Sequence, residues 1–167
     1  ALRFDGDDDS IDFGVDHLDG PGQFSASIWF NADGYTTGGN NTNHGVNNVL
    51  VANSSNVAND NFEIGFEPGA VGGNDGAELY IDSGGGGADS TVRTDVSGLG
   101  LLDTGNWHQV VVTYDRTDTN EAKLYIDGQL ADQWSNFNGT LDPANGTNLS
   151  VGLARIVGEQ GGDFDGL

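Results

Sequence analysis

Residues 123–130 read KLYIDGQL and contain the strongest local structural signal in the chain. Asp127 and Gly128 separate two strand-like runs, and Asp-Gly is favoured in two-residue hairpin turns whose central residues both have positive φ. A hairpin with this turn pairs Tyr125 with Leu130. The stretch therefore predicts two antiparallel strands joined by a tight turn.

Basic residues are scarce: Lys and Arg total 5 against 26 Asp and Glu, which gives a formal net charge of −21. The predicted hairpin register places one of these five, Lys123, opposite Asp132. Such an acidic surface repels phosphate backbones and anionic lipid, so the charge excludes nucleic acid as a partner. No apolar run reaches the roughly 18 residues of a membrane span, and we expect no membrane insertion.

Short runs with every second residue apolar recur along the rest of the chain. In FSASIWFN (24–31), the residues from Phe24 to Phe30 alternate in this way, so one face is expected to be buried. Trp29 stands on the polar face, where we expect it to pack under a loop; the alternative is a platform for stacking a sugar. Further short runs that are predicted to form strands are VNNVLVAN, NFEIGFEP, AELYIDS, STVRTDV, WHQVVVTYD, QLADQW and NLSVGL.

This pattern predicts an all-β protein. No helical i, i+3, i+4, i+7 stripe persists for three turns. Roughly ten to twelve strands in one chain indicate an antiparallel two-sheet β-sandwich of jelly-roll type. Glycine, with 28 residues, supplies the turns, and the absence of cysteine excludes disulfides and thiol chemistry.

Two polar stretches, 34–48 and 83–90, are too rich in glycine, asparagine or serine to belong to the core. Exposed loops of this composition often carry binding residues. We therefore predict that Asn40, His44 and Asn47 contact a ligand. His108, in contrast, shares a strand face with valines and is predicted to be a hydrogen-bonded structural histidine.

Several pieces resemble, in this order, the laminin-G-like jelly rolls and, more broadly, the concanavalin A-like lectin/glucanase fold, which includes the pentraxins. They are ALRFDGDDDSIDF, FSASIWFN, GNWHQVVVTYD, KLYIDGQL and GGDFDGL. The resemblance covers nearly the whole chain, so residues 1–167 are interpreted as one laminin-G-like (concanavalin A-like) domain. It implies two stacked antiparallel sheets, often a calcium site, and a role in carbohydrate or protein binding.

The resemblance also bears on the end of the chain. In the resembling family, a stretch like GGDFDGL is followed by one more strand that pairs with the first strand. We therefore interpret the domain as lacking its final strand, and we expect Leu2–Phe4 to lie beside the C-terminus. Asp163 and Asp165 would then approach the opening aspartates.

The family implies calcium as cofactor and two alternative places for it. Asp60 and Asn61 match the pentraxin Asp-Asn pair that ligates calcium before a strand, and late acids such as Glu159 and Asp163 would complete that site. The late stretch is shorter here than in pentraxins. Asp89 instead matches the calcium-binding aspartate of laminin-G modules. Calcium takes about 6–8 oxygen ligands, some of them water.

The opening DGDDDSID also has calcium-loop spacing at Asp5, Asp7 and Asp9. Ser10 stands where an EF-hand loop needs glycine, and Asp16 where it needs a bidentate glutamate, so the EF-hand is rejected. A solvated turn and a structural cation remain the two interpretations.

An enzyme is not expected. Glucanases of the resembling fold carry Glu-x-Asp-x-(x)-Glu, and this chain has no such string. Glu63 and Glu67 share a strand face but are separated by ~13 Å. Paired glycosidase carboxylates lie ~5–9.5 Å apart.

Two hypotheses of function follow. The first is an extracellular or cell-surface, calcium-assisted carbohydrate-binding (lectin-like) module for a carbohydrate or glycoprotein ligand. It would form part of a larger secreted or surface protein, such as an adhesin or a glycan-degrading enzyme. The second is a non-catalytic structural or protein–protein interaction module of a surface protein.

Overall fold

The computed structural model describes residues 2–5, 9–14, 22–33, 48–54, 60–68, 77–83, 90–101, 105–115, 117, 121–135, 137, 148–152 and 165–166. The strands are β1 (Phe4–Asp5), β2 (Ile11–Asp12), β3 (Gln23–Phe30), β4 (Asn48–Ser54), β5 (Asp60–Pro68), β6 (Ala77–Ser83), β7 (Ser90–Asp95), β8 (His108–Asp115), β9 (Glu121–Ile126), β10 (Gln129–Trp134), β11 (Ser150–Val151) and β12 (Asp165–Gly166). Within these ranges the only helical element is a short 3-10 turn, Ser97–Leu99. No helix in them is long and apolar enough to cross a membrane.

The strands form two main antiparallel sheets, as the sequence predicts. One has six strands in the order β2-β11-β4-β5-β6-β7, and the other has four in the order β10-β9-β8-β3. A small third pair joins β1 to β12. The fold is therefore all-β, with two antiparallel sheets consistent with a concanavalin A-like sandwich.

The core lies between the inner faces of the two sheets. Phe62, Ile64 and Phe66 of β5 alternate toward it and are at most 1% exposed. Phe24 and Phe30 of the four-stranded sheet pack against them. The ring centroids of Phe24 and Phe62 are 4.8 Å apart, and those of Phe30 and Phe66 are 5.4 Å apart. Burying side chains of this size contributes about 2 kcal/mol each. These aromatic pairs hold the sheets together.

The predicted hairpin turn is confirmed. Asp127 and Gly128 have φ of 50° and 78°, and Leu130 pairs with Tyr125. Such a turn matches the right-handed twist of the flanking strands. β9 and β10 therefore meet with the predicted register next to the turn.

The predicted pairing of Lys123 with Asp132 is wrong. A β-bulge between Leu130 and Asp132 shifts the register by one residue, so Lys123 lies opposite Gln133. Because side chains alternate between faces, this shift moves Asp132 from the outer face to the inner side of the sheet. The Lys123 ammonium instead forms a salt bridge of 2.8 Å with Glu121 of the same strand.

The re-aimed Asp132 connects the two sheets. Its Oδ2 accepts a hydrogen bond of 2.8 Å from the Thr94 hydroxyl on β7, the edge strand of the six-stranded sheet. The same shift turns Trp134 inward, where it packs against the core. The bulge therefore closes one edge of the sandwich.

Asp127 fastens the hairpin turn to the start of β8. Its Oδ1 accepts a 2.8 Å hydrogen bond from the Gln109 amide, and its own amide donates to the Gln109 carbonyl at 2.9 Å. Its Oδ2 lies 2.9 Å from Nδ1 of His108, as predicted for a hydrogen-bonded structural histidine. Burial raises the pKa of Asp127, but hydrogen bonds from the Gln109 amide and His108 together lower the pKa by more, so it lies below the ordinary 3.8.

The first strand lies beside the C-terminal one, as expected. Phe4 pairs with Gly166 and Asp5 with Asp165, and Gly166 also bridges to Ala32. Asp9 Oδ2 accepts a 3.1 Å hydrogen bond from the Asp5 amide. Asp163, predicted to approach the same corner, lies outside the described residues.

Gly152 follows β11 at a point where backbone and core meet closely. Its φ is +86°, and a Cβ there would lie 2.5 Å from the Phe4 ring. Its amide donates to the Leu50 carbonyl at 3.2 Å. Both the left-handed conformation and the close approach require glycine.

Gly152→Ala should lower the free energy of unfolding by about 2–4 kcal/mol, because it combines backbone strain with a clash against Phe4. Urea unfolding followed by tryptophan fluorescence measures the change. The control is Gly14→Ala, whose φ is +73° but whose Cβ would meet nothing within 4 Å. It should cost only about 1 kcal/mol. Equal losses for both variants would contradict the proposed role of Phe4.

Asp127→Asn should make the domain less stable near neutral pH, and the difference from wild type should shrink in acid. A carboxyl with a lowered folded pKa stabilises the fold above its unfolded pKa, and this contribution is lost as the pH falls through the folded value. Unfolding measured from pH 7 to pH 3 tests this. Asp12→Asn, a matched change at the far edge of the six-stranded sheet, is the control. A pH-independent difference would contradict the assignment.

Candidate functional site

Most of the predicted site residues lie outside the described residues. They are Asn40, His44, Asn47, Asp89, Glu159 and Asp163. Asp60 and Asn61 begin β5, where the Asp60 backbone lies opposite Ser54. In the described part of the chain, no group of three or more His, Asp or Glu side chains could hold a metal ion. These ligand assignments therefore stay predictions.

The sheet register brings together acidic residues that are distant in the sequence. On β5 and β6, Glu63 lies opposite Asp82, and Glu67 lies opposite Glu78. Glu78 in turn lies opposite Asp95 of β7. The backbone register therefore places acidic residues of three neighbouring strands at adjacent positions of the six-stranded sheet.

Trp29 dominates the outer face of the four-stranded sheet. It is 60% exposed although it lies in the regular strand β3. It faces Gln109 of β8, and Gln109 Nε2 donates a 3.0 Å hydrogen bond to Ser27 Oγ. A large rigid indole therefore stands beside polar groups that are held in place.

The same face continues across the sheet as a row of mainly apolar residues. Ser27 lies opposite Val111, Val111 opposite Tyr125, and Tyr125 opposite Leu130. Leu130 is 53% exposed. Four strands at the usual spacing give this row a length of about 14 Å.

Trp107, directly before β8, is a second exposed indole. It is 47% exposed and precedes Gln109 by two residues, the spacing that puts neighbours on one side of an extended chain. The amide of Gly105 donates to Asn31 Oδ1 at 3.1 Å, which holds this segment beside the end of β3. We call Ser27, Trp29, Trp107, Gln109, Val111 and Tyr125 the tryptophan face.

The other half of this outer face is polar. Gln23 Nε2 donates to Asp115 at 2.7 Å, and the hydroxyl of Thr117 donates to the same carboxylate at 2.7 Å. The hydrogen bond with Glu121 raises the pKa of Lys123, against the lowering effect of burial. A depression of about 480 Å³ lies over these residues. Its side chains are largely engaged with one another.

A second concavity, the edge cleft, lies where β7 and β10 meet. Its volume is about 600 Å³, and its lining includes Thr94, Asp95, Leu99, Asp127, Gln129 and Leu130. Pockets of about 300–1,000 Å³ are typical of small-ligand sites. The Thr94–Asp132 hydrogen bond ties its two sides together.

Sequence reasoning found part of this surface. Strand alternation placed Trp29 on the polar face of β3, but its exposure of 60% disagrees with the expectation that it packs under a loop. The sequence did not show that Trp107 lies beside the end of β3, because this placement requires the pairing of β3 with β8. It also missed the edge cleft, which depends on a bulge with no clear sequence signature. Trp107 begins WHQVVVTYD and precedes Gln109 by two residues. This spacing could have indicated that both side chains lie on the outer face.

The fold is similar to those of several solved structures. The CBM40 of the IT-sialidase of Ruminococcus gnavus, bound to α2,3-sialyllactose, matches with a TM-score of 0.66 and 11% identity, over 99% of this chain and 84% of that one. The native heptameric SAP-like pentraxin of Limulus polyphemus matches with 0.62 and 11%, over 98% and 70%. Domains LG4-5 of the mouse laminin α1 chain match with 0.56 and 15%, over 98% and 38%.

Sequence comparisons give a family but no individual relative. A comparison with curated proteins gives no match. The model of a laminin G family, described as the concanavalin A-like lectin/glucanases superfamily, matches residues 5–167. The match covers every described strand except Phe4, the first residue of β1. The chain therefore belongs to the concanavalin A-like lectin/glucanases superfamily.

Proposed function

We propose that this domain is a non-catalytic carbohydrate-binding module and that the tryptophan face is its binding site. The observation that carries the proposal is Trp29, an indole 60% exposed on the outer face of β3, the edge strand of the four-stranded sheet. Large exposed apolar surface on a folded domain usually marks an interaction site. Here it is framed by polar groups.

Sugars present an apolar C–H face together with many hydroxyl groups. An indole offers a flat apolar surface for the first, and its N–H remains available for a hydrogen bond. Gln109 and Ser27, already ordered by their mutual hydrogen bond, can exchange donors and acceptors with the hydroxyls. Because the sheet fixes these groups before binding, little conformational entropy is lost when the sugar is bound.

The family and the structural relatives support this assignment. The superfamily includes lectins by its own description. One of the matched structures is a CBM40 bound to sialyllactose. By analogy we further propose that this domain works outside the cell, as part of a larger secreted or surface protein such as an adhesin.

A second candidate function is protein–protein interaction. Exposed tryptophans are among the residues that contribute most to protein interfaces. The tryptophan face includes two exposed tryptophans, and laminin G domains share the fold. If no glycan on an array is bound and a protein ligand is bound through Trp29, this function is favoured.

Trp29→Ala should weaken glycan binding about tenfold or more, equivalent to about 1.4 kcal/mol, because the stacking surface is removed. A glycan array identifies the ligand, and calorimetric titration then measures the affinity of each variant. Phe13→Ala is the matched control, since Phe13 is also an exposed aromatic (49%) but lies next to β2 in the other sheet. Equal binding by wild type and Trp29→Ala would exclude the tryptophan face.

We also propose that calcium assists this module, with Asp60, Asn61, Glu159 and Asp163 as one candidate ligand set and Asp89 as the alternative. The net charge of −21 supports cation binding. Carboxylate and amide oxygens are suitable calcium ligands.

Calcium should therefore raise the melting temperature. A cation that binds only the folded state adds about 2.7 kcal/mol at a hundredfold excess over its Kd. Thermal unfolding is compared in millimolar calcium and in chelator at constant ionic strength, and sodium chloride controls for screening. Asp60→Ala and Asp163→Ala should weaken calcium binding non-additively if they share one ion. No calcium-specific shift would refute the proposal.

A further inference from the structure

Three irregular backbone features form the edge cleft. The hairpin turn at Asp127 and Gly128 forms one side, and the bulge at Leu130 and Asp132 forms another. The 3-10 turn Ser97–Leu99 contributes Leu99. Bulges often occur where a strand must be redirected beside a functional site.

The walls of the cleft are rigid. Asp132 binds the Thr94 hydroxyl across the two sheets at 2.8 Å. Asp127 holds the turn to Gln109 through two backbone-directed hydrogen bonds of 2.8 and 2.9 Å. A cavity whose sides are fixed in this way loses little entropy when it is filled.

The apolar part of the cleft is exposed to solvent. Leu99 and Leu130 are 51% and 53% exposed, and both contribute to the lining. Among the described residues, the only other large aliphatic side chain with this much exposure is Leu2, which precedes β1. Two such side chains facing one cavity favour an occupant with an aliphatic section.

The charged part of the cleft is entirely acidic. Asp95 and Asp127 contribute to its lining, and none of the described residues that line it is basic. With a net charge of −21 on the whole chain, anions such as phosphates or acidic sugars are repelled. A cation is attracted to this position by both the local and the overall field.

We propose that the edge cleft receives a long cationic side chain, lysine or arginine, from a basic segment of a partner protein. The aliphatic stem would pack between Leu99 and Leu130, while the charged head would reach Asp95 at the entrance. Lysine and arginine combine these two parts in one side chain.

The experiment uses the whole domain and a small probe. Nα-acetyl-lysine methylamide is titrated into isotopically labelled protein at fixed ionic strength, and amide shifts are followed by NMR. We expect saturable shifts at Thr94, Leu99 and Gln129. The analogue with an acetylated Nε has the same stem without the charge and should produce much smaller shifts. Shifts spread over acidic residues of the whole surface, or none, would overturn the proposal.

Two charge-matched variants separate the site from general attraction. Asp95→Asn should raise the Kd of the lysine probe about fivefold, while Asp12→Asn, at the opposite edge of the six-stranded sheet, should not change it. Leu99→Ala should also weaken binding by removing the stem contact. Equal effects of Asp95→Asn and Asp12→Asn would mean unspecific attraction and refute the site.

The inference does not depend on the carbohydrate proposal. Trp29→Ala should leave the lysine titration unchanged, because Trp29 is on β3, at the far edge of the four-stranded sheet from β10. If a neutral sugar shifts the cleft amides and the lysine probe does not, the cleft belongs to the carbohydrate site and this proposal is wrong.

Discussion

The packing of Phe24 and Phe30 against Phe62 and Phe66 is the contact on which the rest of the structure depends. It joins the four-stranded sheet to the six-stranded sheet through ring centroids 4.8 and 5.4 Å apart. Because side chains alternate along β3, fixing Phe24 and Phe30 inward forces Trp29 outward. The exposed indole of the proposed binding face is thus a direct consequence of the core.

The edges of the sandwich depend on hydrogen bonds rather than on apolar packing. Asp127 ties the β9–β10 turn to β8, and Asp132 ties β10 to Thr94 of β7. Both carboxylates belong to a chain with very few cations, and hydrogen bonds from amides, the Thr94 hydroxyl and His108 stabilise them. This arrangement gives the edge cleft fixed walls and an acidic lining at the same time.

The tryptophan face and the edge cleft differ in the chemistry they offer. The face presents flat aromatic surface and ordered amide and hydroxyl groups, which suit an uncharged polyol. The cleft presents aliphatic walls and carboxylates, which suit a cation. Leu130 lies at the border, opposite Tyr125 on the face and within the lining of the cleft. A module with both surfaces could contact a glycan and the protein that carries it.

The sequence by itself determined the class of the fold, the alternation of strands such as β3 and the Asp127-Gly128 turn. These follow from local rules: the two-residue period of a strand and the φ preference of one dipeptide. It also placed the first strand beside the C-terminus through its family resemblance. Only the tertiary structure decided the bulge after Leu130, which moved Asp132 away from Lys123 and toward Thr94. Strand alternation cannot show where a register slips, because the slip is stabilised by Thr94 on another sheet and by Trp134 in the core. For the same reason, the position of Trp107 beside the end of β3 and the edge cleft exist only once distant strands have met.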